Sequence, residues 1–486
     1  MPRPISSKAL AANIQLDHNS YQSPFTWRYS SDAMRYLWSE TNKRRLMRRV
    51  WVALAEAQHI AGLVSAEQLA DLEAHADEIN VERALEIERE TRHDVVAEIR
   101  AYAEQCSVGG GIIHWGATSA DITDNVDALR LREAARLLAE GLRRLLLAFA
   151  RRINETAELP VMAHTHIQPA EPTTLGYRLA MYAQELREDE RQLIALIADL
   201  RGKGLKGAVG TQAGFVELLQ GTNMTAGQLE ALAMARLDLP YYPVAGQTYT
   251  RQQDLRVMSV LSGIASSLHK FALDFRVLMS PPFGEWAEPF GRRQVGSSAM
   301  PFKRNPINAE NICSLARFVA AQTAVAWDNA SQAILERSLD DSANRRLYLP
   351  ESFLAIDEMV RRATTLVEGM SFDGEQIARN MTRYGSFAAT ERVLMAAVRA
   401  GADRQLVHEW LRETSLQAWE AIRQDAPNPL VELVAADARL AAFLSADEVR
   451  ALMDAGGYVG TAAERARALA ATITTPATGV QPDSTG

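Results

Sequence analysis

Polar side chains that could transfer protons concentrate in four short segments without helical patterning. They are ETRHDVVAEI at 90–99, HWGATSADITDN at 114–125, AHTHIQPAEPTT at 163–174 and QVGSSAMPFKRNPINAEN at 294–311. Histidine titrates near neutral pH, so His93, His164 and His166 are candidates for a general acid or base. Taken alone, a histidine near a helix start such as His93 is more often a cap or a core group, and a loop histidine is as readily a solvated side chain.

Two of the segments have patterns that suit other ligands. His164 and His166 have the HxH spacing that can serve a metal, but no third cluster of Cys, His or carboxylate ligands lies nearby, so we expect no metal. Thr118 and Ser119 precede a long helix, whose first amides can bind an anion. A plain capping motif is the equal alternative for this pair.

Arginines gather in a fifth segment, ERSLDDSANRR at 336–346. Its Arg337, Arg345 and Arg346, with Ser342, suit a phosphate or carboxylate ligand. The alternative is a solvated face held by ion pairs. The segment at 294–311 is neither a GxSxG nucleophile elbow nor a phosphate-cradling GxxxxGKS loop.

The elements that must position these segments are predicted to be helical. Only 7% of the residues are aromatic, whereas Ala, Leu, Arg and Glu dominate long stretches. Apolar residues between Leu131 and Ile153 recur every three or four positions, as on a helix. Long helices are predicted over 127–159, 173–200, 251–279 and 308–334, and shorter ones over 42–61 and 66–76. Further short helices follow Phe372, with breaks at Gly385, Gly401 and Pro427.

Helices of this length favour a bundle of long rods and favour oligomerisation. We therefore predict an all-α fold with three helical domains. The ranges are 1–118 for an N-terminal domain, 119–372 for a central long-helix bundle and 373–474 for a C-terminal domain, with a disordered tail over 475–486.

Global composition excludes several classes of protein. The 486 residues are 47% hydrophobic and 23% charged, which is ordinary for a globular chain. The net charge of −8 argues against a nucleic-acid partner. No run of 18 apolar residues favours a membrane span, and the N-terminus lacks the apolar region of a secretion signal. Two distant cysteines, Cys106 and Cys313, favour a reducing compartment. We expect a cytoplasmic protein.

The segment GSSAMPFKRNP at 296–306 resembles the signature of the fumarase/aspartase superfamily, roughly GSSxMPxKxNP. Seven further blocks resemble the adenylosuccinate lyases of that superfamily. They are RYSSDAMRY at 28–36, RHDV at 92–95, IIHWGATSADITDN at 112–125, THIQPAEPTTLG at 165–176, KGAVGTQAGF at 206–215, GQTYTRQQD at 246–254 and LERSLDDSANRR at 335–346. The blocks follow the expected order over about residues 25–410, where DRQLVHEWLR also fits. Residues beyond about 410 carry no resemblance on which we rely.

The resemblance implies a carbon–nitrogen lyase of purine biosynthesis. Such an enzyme eliminates fumarate from adenylosuccinate to give AMP, and from the carboxamide ribotide SAICAR to give AICAR. It also implies a homotetramer, with the long helices at its core and active sites shared between subunits, and no metal or organic cofactor.

The resemblance further implies roles for individual residues. Ser297 would be the base and His166 the acid. Lys303 would stabilise an alkoxide and the aci-carboxylate, Glu310 would keep His166 protonated, and His93 would orient substrate or the acid. Matching positions imply that Thr118, Ser119 and Asn305 bind the succinyl part of the substrate. The nucleotide would be bound by Arg28, Tyr29, Arg337, Ser342 and Arg346. The remaining matches around the substrate are Arg92, Asp94, Thr165 and Gln212.

Three alternatives stay open. One is another lyase of the superfamily, such as an argininosuccinate lyase or a carboxymuconate cycloisomerase. The second is a non-catalytic helical scaffold, and the third is a regulatory nucleotide-binding module. Asn311 stands where some relatives have arginine, which leaves open the preference between the two substrates. His114 matches a position near the ligand but receives no role.

Overall fold

The computed structural model describes residues 20–291, 293–300 and 302–475. Its helices are α1 Asp32–Leu37, α2 Glu40–Ile60, α3 Ala66–Ala74, α4 Val81–Thr91, α5 Asp94–Ala103, α6 Ser119–Thr156, α7 Leu175–Asp199, α8 Ala213–Leu218, α9 Ala226–Arg236, α10 Gln252–Met279, α11 Ile307–Ser331, α12 Asp340–Gly369, α13 Gly374–Arg399, α14 Arg404–Arg423, α15 Leu430–Ala435, α16 Ala446–Leu452 and α17 Ala462–Thr474. The strands are short: β1 Pro160–Thr165, β2 Gln168–Thr174, β3 Trp286–Ala287 and β4 Ser371–Phe372. The all-α prediction is confirmed.

The chain divides into two compact units. Of the described residues, unit 1 comprises those up to Ala139, Leu193–Ser262 and Phe318–Glu358, and unit 2 comprises Glu140–Gln192, Gly263–Arg317 and those from Met359. Five helices, α6, α7, α10, α11 and α12, contribute residues to both units. The three-domain division stays a prediction. None of the helices within the described residues is long and apolar enough to cross a membrane.

Unit 1 has its core around α2. Trp51 and Tyr102 are buried there with rings 6.3 Å apart, and Phe215 is buried in the same cluster. Charged groups are buried beside them, because Glu98 accepts hydrogen bonds from both Arg44 and Arg48. Each fully buried aromatic ring stabilises the fold by roughly 1.5–3 kcal/mol, which makes this cluster a rigid support for the loops above α2.

Unit 2 has an aromatic core on α10. Phe271 packs edge-on against Phe149 of α6 at 5.3 Å, and Phe275 packs against Trp286 at the same distance. β3 and β4 pair antiparallel, with Trp286 opposite Phe372. A second apolar cluster joins α13 to α16 and holds the C-terminal part of the chain together.

Helix positions follow the predicted pattern except at the start of α6, which lies at Ser119 instead of 127, and at three further places. The predicted break at Gly385 is wrong, because α13 runs through it. A Cβ at position 385 would lie 3.0 Å from the Cβ of Ala455, so the glycine allows close packing of a helix rather than ending one. A long helix, α12, was not predicted, and it contains Pro350. The third difference is a β-hairpin, β1–β2, where a loop was expected. The predicted tail lies outside the described residues except for Thr475.

Candidate active site

A cavity of about 670 Å³ lies in unit 1, at the N-terminal ends of α5 and α6. Nine residues that the sequence selected line it: Arg92, His93, Asp94, Thr118, Ser119, Arg337, Ser342, Arg345 and Arg346. They come from three separate segments of the chain, 92–94, 118–119 and 337–346. The cavity therefore unites the RHD, ATS and DDSANRR motifs, which the sequence alone leaves far apart.

His93 occupies the turn between α4 and α5. Arg92 ends α4 in the left-handed conformation, with φ of 54°, and His93 then caps α5 by accepting the N–H of Val96 at Nδ1, 3.4 Å away. Because Nδ1 accepts, the neutral ring carries its proton on Nε2, which lies 3.4 Å from the hydroxyl of Ser119. The imidazole is 45% exposed, so its Nε2 edge can reach a ligand.

Asp94 forms ion pairs with two cations of the cavity, Lys43 and Arg346. Its Oδ2 lies 3.5 Å from Nζ of Lys43 and 3.2 Å from Nη2 of Arg346. Burial opposes the charge of this carboxylate, but Lys43, Arg346 and the N–H of Val95 outweigh it, so the pKa of Asp94 lies below its ordinary value. Asp94 is therefore an anion that orients two cations at the wall.

A buried ion-pair network lies against the wall of the cavity. Arg345 contacts Asp254 at 2.7 Å and Asp127 at 3.1 Å, and Arg251 contacts Asp124 at 3.0 Å. Burial opposes the charge of Arg345, yet its pKa lies well above the ordinary value because Asp254 and neighbouring anions outweigh burial. Arg345 is thus a structural cation, whereas Arg346 is 61% exposed and faces solvent.

Three predicted binding residues of unit 1, Arg28, Tyr29 and Gln212, do not line this cavity. Arg28 lies over the rings of Trp27 and Tyr29, 5.8 and 5.9 Å from their centroids. Gln212 donates its side-chain amide to the carbonyl of Leu205 and to Glu230, both at 3.0 Å, inside the protein. The contacts of these residues therefore lie outside the cavity.

Sequence reasoning missed several polar residues that do line it, among them Lys43, Gln247 and Thr248. The GQTYTRQQD block was a signal for the last two, but its residues received no role. Lys43 lies within a helical pattern and gave no local signal.

His166 in unit 2 sits at the tip of the β1–β2 hairpin. Thr165 pairs with Gln168, and the two residues between them, His166 and Ile167, have φ of 55° and 60°. This is the two-residue turn that normally selects Asn-Gly, so the hairpin holds His166 in a strained and exposed position.

His164 is a different kind of histidine. Its ring packs edge-on against Phe283, with centroids 5.0 Å apart. Burial lowers its pKa, and the charge of Arg178 lowers it further. Arg178 in turn donates to the carbonyl of Met162 and to Glu285, which ties the hairpin to α7. His164 is a neutral structural group that supports the strand leading to His166.

Ser297, Lys303 and Asn305 share the loop before α11. The hydroxyl of Ser297 accepts the N–H of Met300 at 3.1 Å, and Asn305 donates its amide to the carbonyl of Gly296 at 3.0 Å. A Cβ on Gly296 would lie only 2.2 Å from the carbonyl oxygen of Lys303, so the loop requires glycine there. These contacts close the loop on itself and leave Lys303 exposed.

Glu310 lies in the first turn of α11. Its Oε1 is 3.9 Å from Nη2 of Arg276. Its proposed pairing with His166 stays a prediction. Another carboxylate, Glu288, accepts the N–H groups of Asn308 and Ala309 at the start of the same helix. Burial raises the pKa of Glu288, although these hydrogen bonds act in the opposite direction.

One group of side chains in the described residues has metal-ligand chemistry, Asp71, His75 and Cys106. Asp71 Oδ2 already accepts the N–H groups of Val108 and Gly109 at 2.8 Å, and Nδ1 of His75 contacts the carbonyl of Asp71. Burial raises the pKa of the Cys106 thiol to about 11. Asp71 and His75 are thus already engaged by backbone groups in a structural role.

Comparison with solved structures defines the class of protein. The fold matches a fumarate lyase from Mesorhizobium sp. BNC1 with a TM-score of 0.81 at 22% identity, over 93% of this chain and 99% of that one. It matches the 3-carboxy-cis,cis-muconate lactonizing enzyme from Pseudomonas putida equally well, at 25% identity over the same shares. A family model described as Lyase matches residues 24–321. The protein is a lyase with this helical fold.

Relatives with higher sequence identity show which family of lyases the chain belongs to. The adenylosuccinate lyase of Schizosaccharomyces pombe is 36% identical over 92% of this chain and 94% of its own, and that of Archaeoglobus fulgidus is 33% identical over 91% and 96%. The chain belongs to the adenylosuccinate lyase family. A second model, described as Adenylosuccinate lyase C-terminus, matches residues 386–469. Our expectation that residues beyond about 410 carry no usable resemblance was therefore wrong.

Proposed function

We propose that the protein cleaves adenylosuccinate to AMP and fumarate, and SAICAR to AICAR and fumarate, by β-elimination. The observation that carries the proposal is the unit 1 cavity. It puts hydroxyls at the N-terminus of α6, where carboxylates are favoured, in one space with the guanidinium groups of Arg337 and Arg346. A substrate that joins a dicarboxylate to a phosphate suits this pairing, which favours it over substrates without phosphate.

The elimination needs a base and an acid. Ser297 is the proposed base, and its oxygen accepts the N–H of Met300, which would stabilise negative charge there. Lys303 adds a positive charge from the same loop. His166 is the proposed acid, since an imidazolium can protonate the departing nitrogen near neutral pH. His93 and Thr165 contact substrate in this proposal, and no metal or organic cofactor takes part.

We propose that the enzyme works as a homotetramer with shared active sites. In unit 2, large apolar side chains stand 37–50% exposed on long helices: Leu147, Met181, Leu273 and Val277. Leu273 and Val277 are four residues apart and so share one face of α10. Exposed apolar groups on rigid rods favour association with another copy of the chain. A cytoplasmic location stays a prediction.

A spectrophotometric assay tests the proposal. Purified protein with adenylosuccinate should give AMP and fumarate in equal amounts. Ser297→Ala and His166→Ala should each lower kcat by about 10²–10⁴-fold, the usual contribution of a general acid or base, and leave substrate binding largely intact. Ser298→Ala removes the neighbouring hydroxyl and is the matched control, with kcat kept within about tenfold of wild type. Near wild-type kcat in Ser297→Ala would contradict the base assignment.

A further inference from the structure

A fully buried ion pair ties the first turn of α6 to the glycine-rich segment 202–210. Nζ of Lys203 lies 2.6 Å from Oδ1 of Asp121, and neither residue exposes any surface. Nζ also donates to the carbonyl of Gly207 at 2.9 Å. Taking two charges out of water costs several kcal/mol per ion, so such a pair often adds no net stability. Stability alone is therefore a poor explanation for Lys203.

The carboxylate of Asp121 organises the backbone on both sides of the pair. Oδ2 accepts the N–H of Thr118 at 3.0 Å, and Oδ1 accepts the N–H of Lys206 at 2.9 Å. The N–H of Gly207 reaches both oxygens. One carboxylate thus fixes the turn that presents Thr118 and Ser119 to the cavity, and it anchors that turn to a second segment.

Hydrogen bonds of Asn125 also join the first turns of α6 to the segment 202–210. Asn125 donates its side-chain amide to the carbonyls of Asp121 and Gly204, and its oxygen accepts the N–H of Gly204 at 3.1 Å. These bonds fix the place of the segment but carry no charge. Lys203 supplies the cation that contacts the carboxylate of Asp121, and the N-terminus of α6 adds its partial positive charge.

The negative charge of Asp121 matters because of where it lies. The N-terminus of α6 carries a partial positive charge that favours anions, and Asp121 is two residues from Ser119. An unbalanced carboxylate at this position would cancel the helix dipole and repel the succinyl dianion. In the low dielectric of the interior this repulsion is stronger than in water. A buried ammonium group removes it without occupying the cavity.

We propose that Lys203 is a positioning residue for the lyase reaction: it holds and neutralises Asp121, and so keeps the first turn of α6 both ordered and attractive to the succinyl carboxylates. This inference rests on the proposed function. Lys203 does not line the cavity, so it acts through Asp121 rather than by touching substrate.

Steady-state kinetics of Lys203→Met test the inference, since methionine keeps the length of the side chain and removes its charge. KM for adenylosuccinate should rise at least about tenfold, which corresponds to ~1.4 kcal/mol, while kcat falls less than about threefold. The double variant Asp121→Asn/Lys203→Met leaves no unbalanced charge and should return KM to within about threefold of wild type.

The matched control breaks another fully buried ion pair of unit 1. Arg48 contacts Glu98 at 2.7 Å, with neither side chain exposed, and does not line the cavity. Arg48→Met should lower the melting temperature as Lys203→Met does but leave KM unchanged. A KM for Lys203→Met within about threefold of wild type would overturn the inference, and so would a double variant whose KM stays as high as that of the single one.

Hydrogen exchange separates this inference from the proposed function. In Lys203→Met the amides of residues 118–121 should exchange faster than in wild type, while those of the buried helix beyond Leu131 keep their protection. If wild type fails to cleave adenylosuccinate, the proposed function fails, and the exchange result still decides whether Lys203 orders the turn. If the single variant does not fold, a tenfold KM increase in the folded double variant contradicts the inference and a wild-type KM supports it.

Discussion

Three of the predicted site residues have a strained backbone. Arg92, His166 and Gln212 have φ of 54°, 55° and 57°, in the left-handed region. That region costs an ordinary L-residue roughly 1–2 kcal/mol, so the surrounding contacts must hold it. For His166 the strain has a clear effect, because the two-residue turn places this residue, exposed, at the tip of the hairpin.

Gln212 and Gln247, from two of the matched motif blocks, have different surroundings, and this gives the first prediction. Gln247 lines the unit 1 cavity, whereas the amide of Gln212 is bonded to Leu205 and Glu230. Gln247→Ala should raise KM for adenylosuccinate about fivefold, the value of one lost hydrogen bond of ~1 kcal/mol, without changing the melting temperature. Gln212→Ala should lower the melting temperature instead, because it leaves Glu230 with one donor fewer.

Kinetics and thermal unfolding of both variants check this contrast. A larger KM change in Gln212→Ala than in Gln247→Ala would show that the cavity is not where substrate binds. The sequence selected Gln212 from the GTQ block, since motif spacing says nothing about the direction of a side chain. A left-handed backbone at Gln212 turns that side chain toward Glu230, and only the folded chain reveals this.

At the scale of elements, periodicity predicted the long helices well where their apolar face is continuous. α7, α10 and α11 lie within about three residues of their predicted bounds. α6 begins eight residues earlier than predicted, at Ser119 rather than 127. Its first turns are polar because Asp121 and Asp124 are buried in ion pairs with Lys203 and Arg251. These partners are distant in sequence, so no local pattern predicts the ion pairs.

The hairpin and α12 were missed for related reasons. Pro169 and Pro172 suggest a broken loop, yet β2 has one partner strand, and proline is tolerated on such an edge. Pro350 suggests a helix end, but α12 continues through it. Proline lacks the N–H that would bond the carbonyl of Arg346, so this carbonyl is left without its helical partner beside the cavity.

The loop before α11 depends on Gly296 for its shape, so a substitution there should disturb the proposed catalytic residues. Gly296→Ala would place a Cβ 2.2 Å from the carbonyl oxygen of Lys303, so the loop must open and displace Ser297 and Lys303. We expect kcat to fall at least about tenfold, because misplacing a reacting group by an ångström is costly. The free energy of unfolding should change by less than about 1 kcal/mol, because the loop is exposed and few contacts depend on it.

Gly291→Ala is the matched control in the same loop. A Cβ there would meet the side chain of Gln294 at 3.7 Å, an ordinary contact. This variant should keep wild-type kcat. Equal activity of the two variants would mean that the shape of the loop does not position Ser297. Circular dichroism melting curves recorded alongside the kinetics would separate local from global damage.

At the scale of the whole molecule, the proposed association would account for apolar surface that a single chain leaves uncovered. Leu147, Leu273 and Val277 expose apolar surface on unit 2, although their helices α6 and α10 carry the fully buried Phe149 and Phe271 on their other faces, and Met181 exposes apolar surface on α7. Composition and helix length predicted association, but they do not say which face serves it. That division depends on which side of each helix its neighbours already cover.

Subunit mixing tests whether active sites are shared. If Ser297 and His166 of one site come from different subunits, a mixture of inactive Ser297→Ala and His166→Ala tetramers contains sites in which both residues are intact. After random exchange of equal amounts, each residue is intact with a chance of one half, so about a quarter of wild-type kcat should return. Exchange can be driven by mild denaturation and refolding of the mixture, and activity followed by fumarate release. Mixing Ser297→Ala with the double variant Ser297→Ala/His166→Ala is the control and should restore nothing, because no intact Ser297 is present. Activity in the test mixture no greater than the sum of its components would mean that each site is built from one subunit.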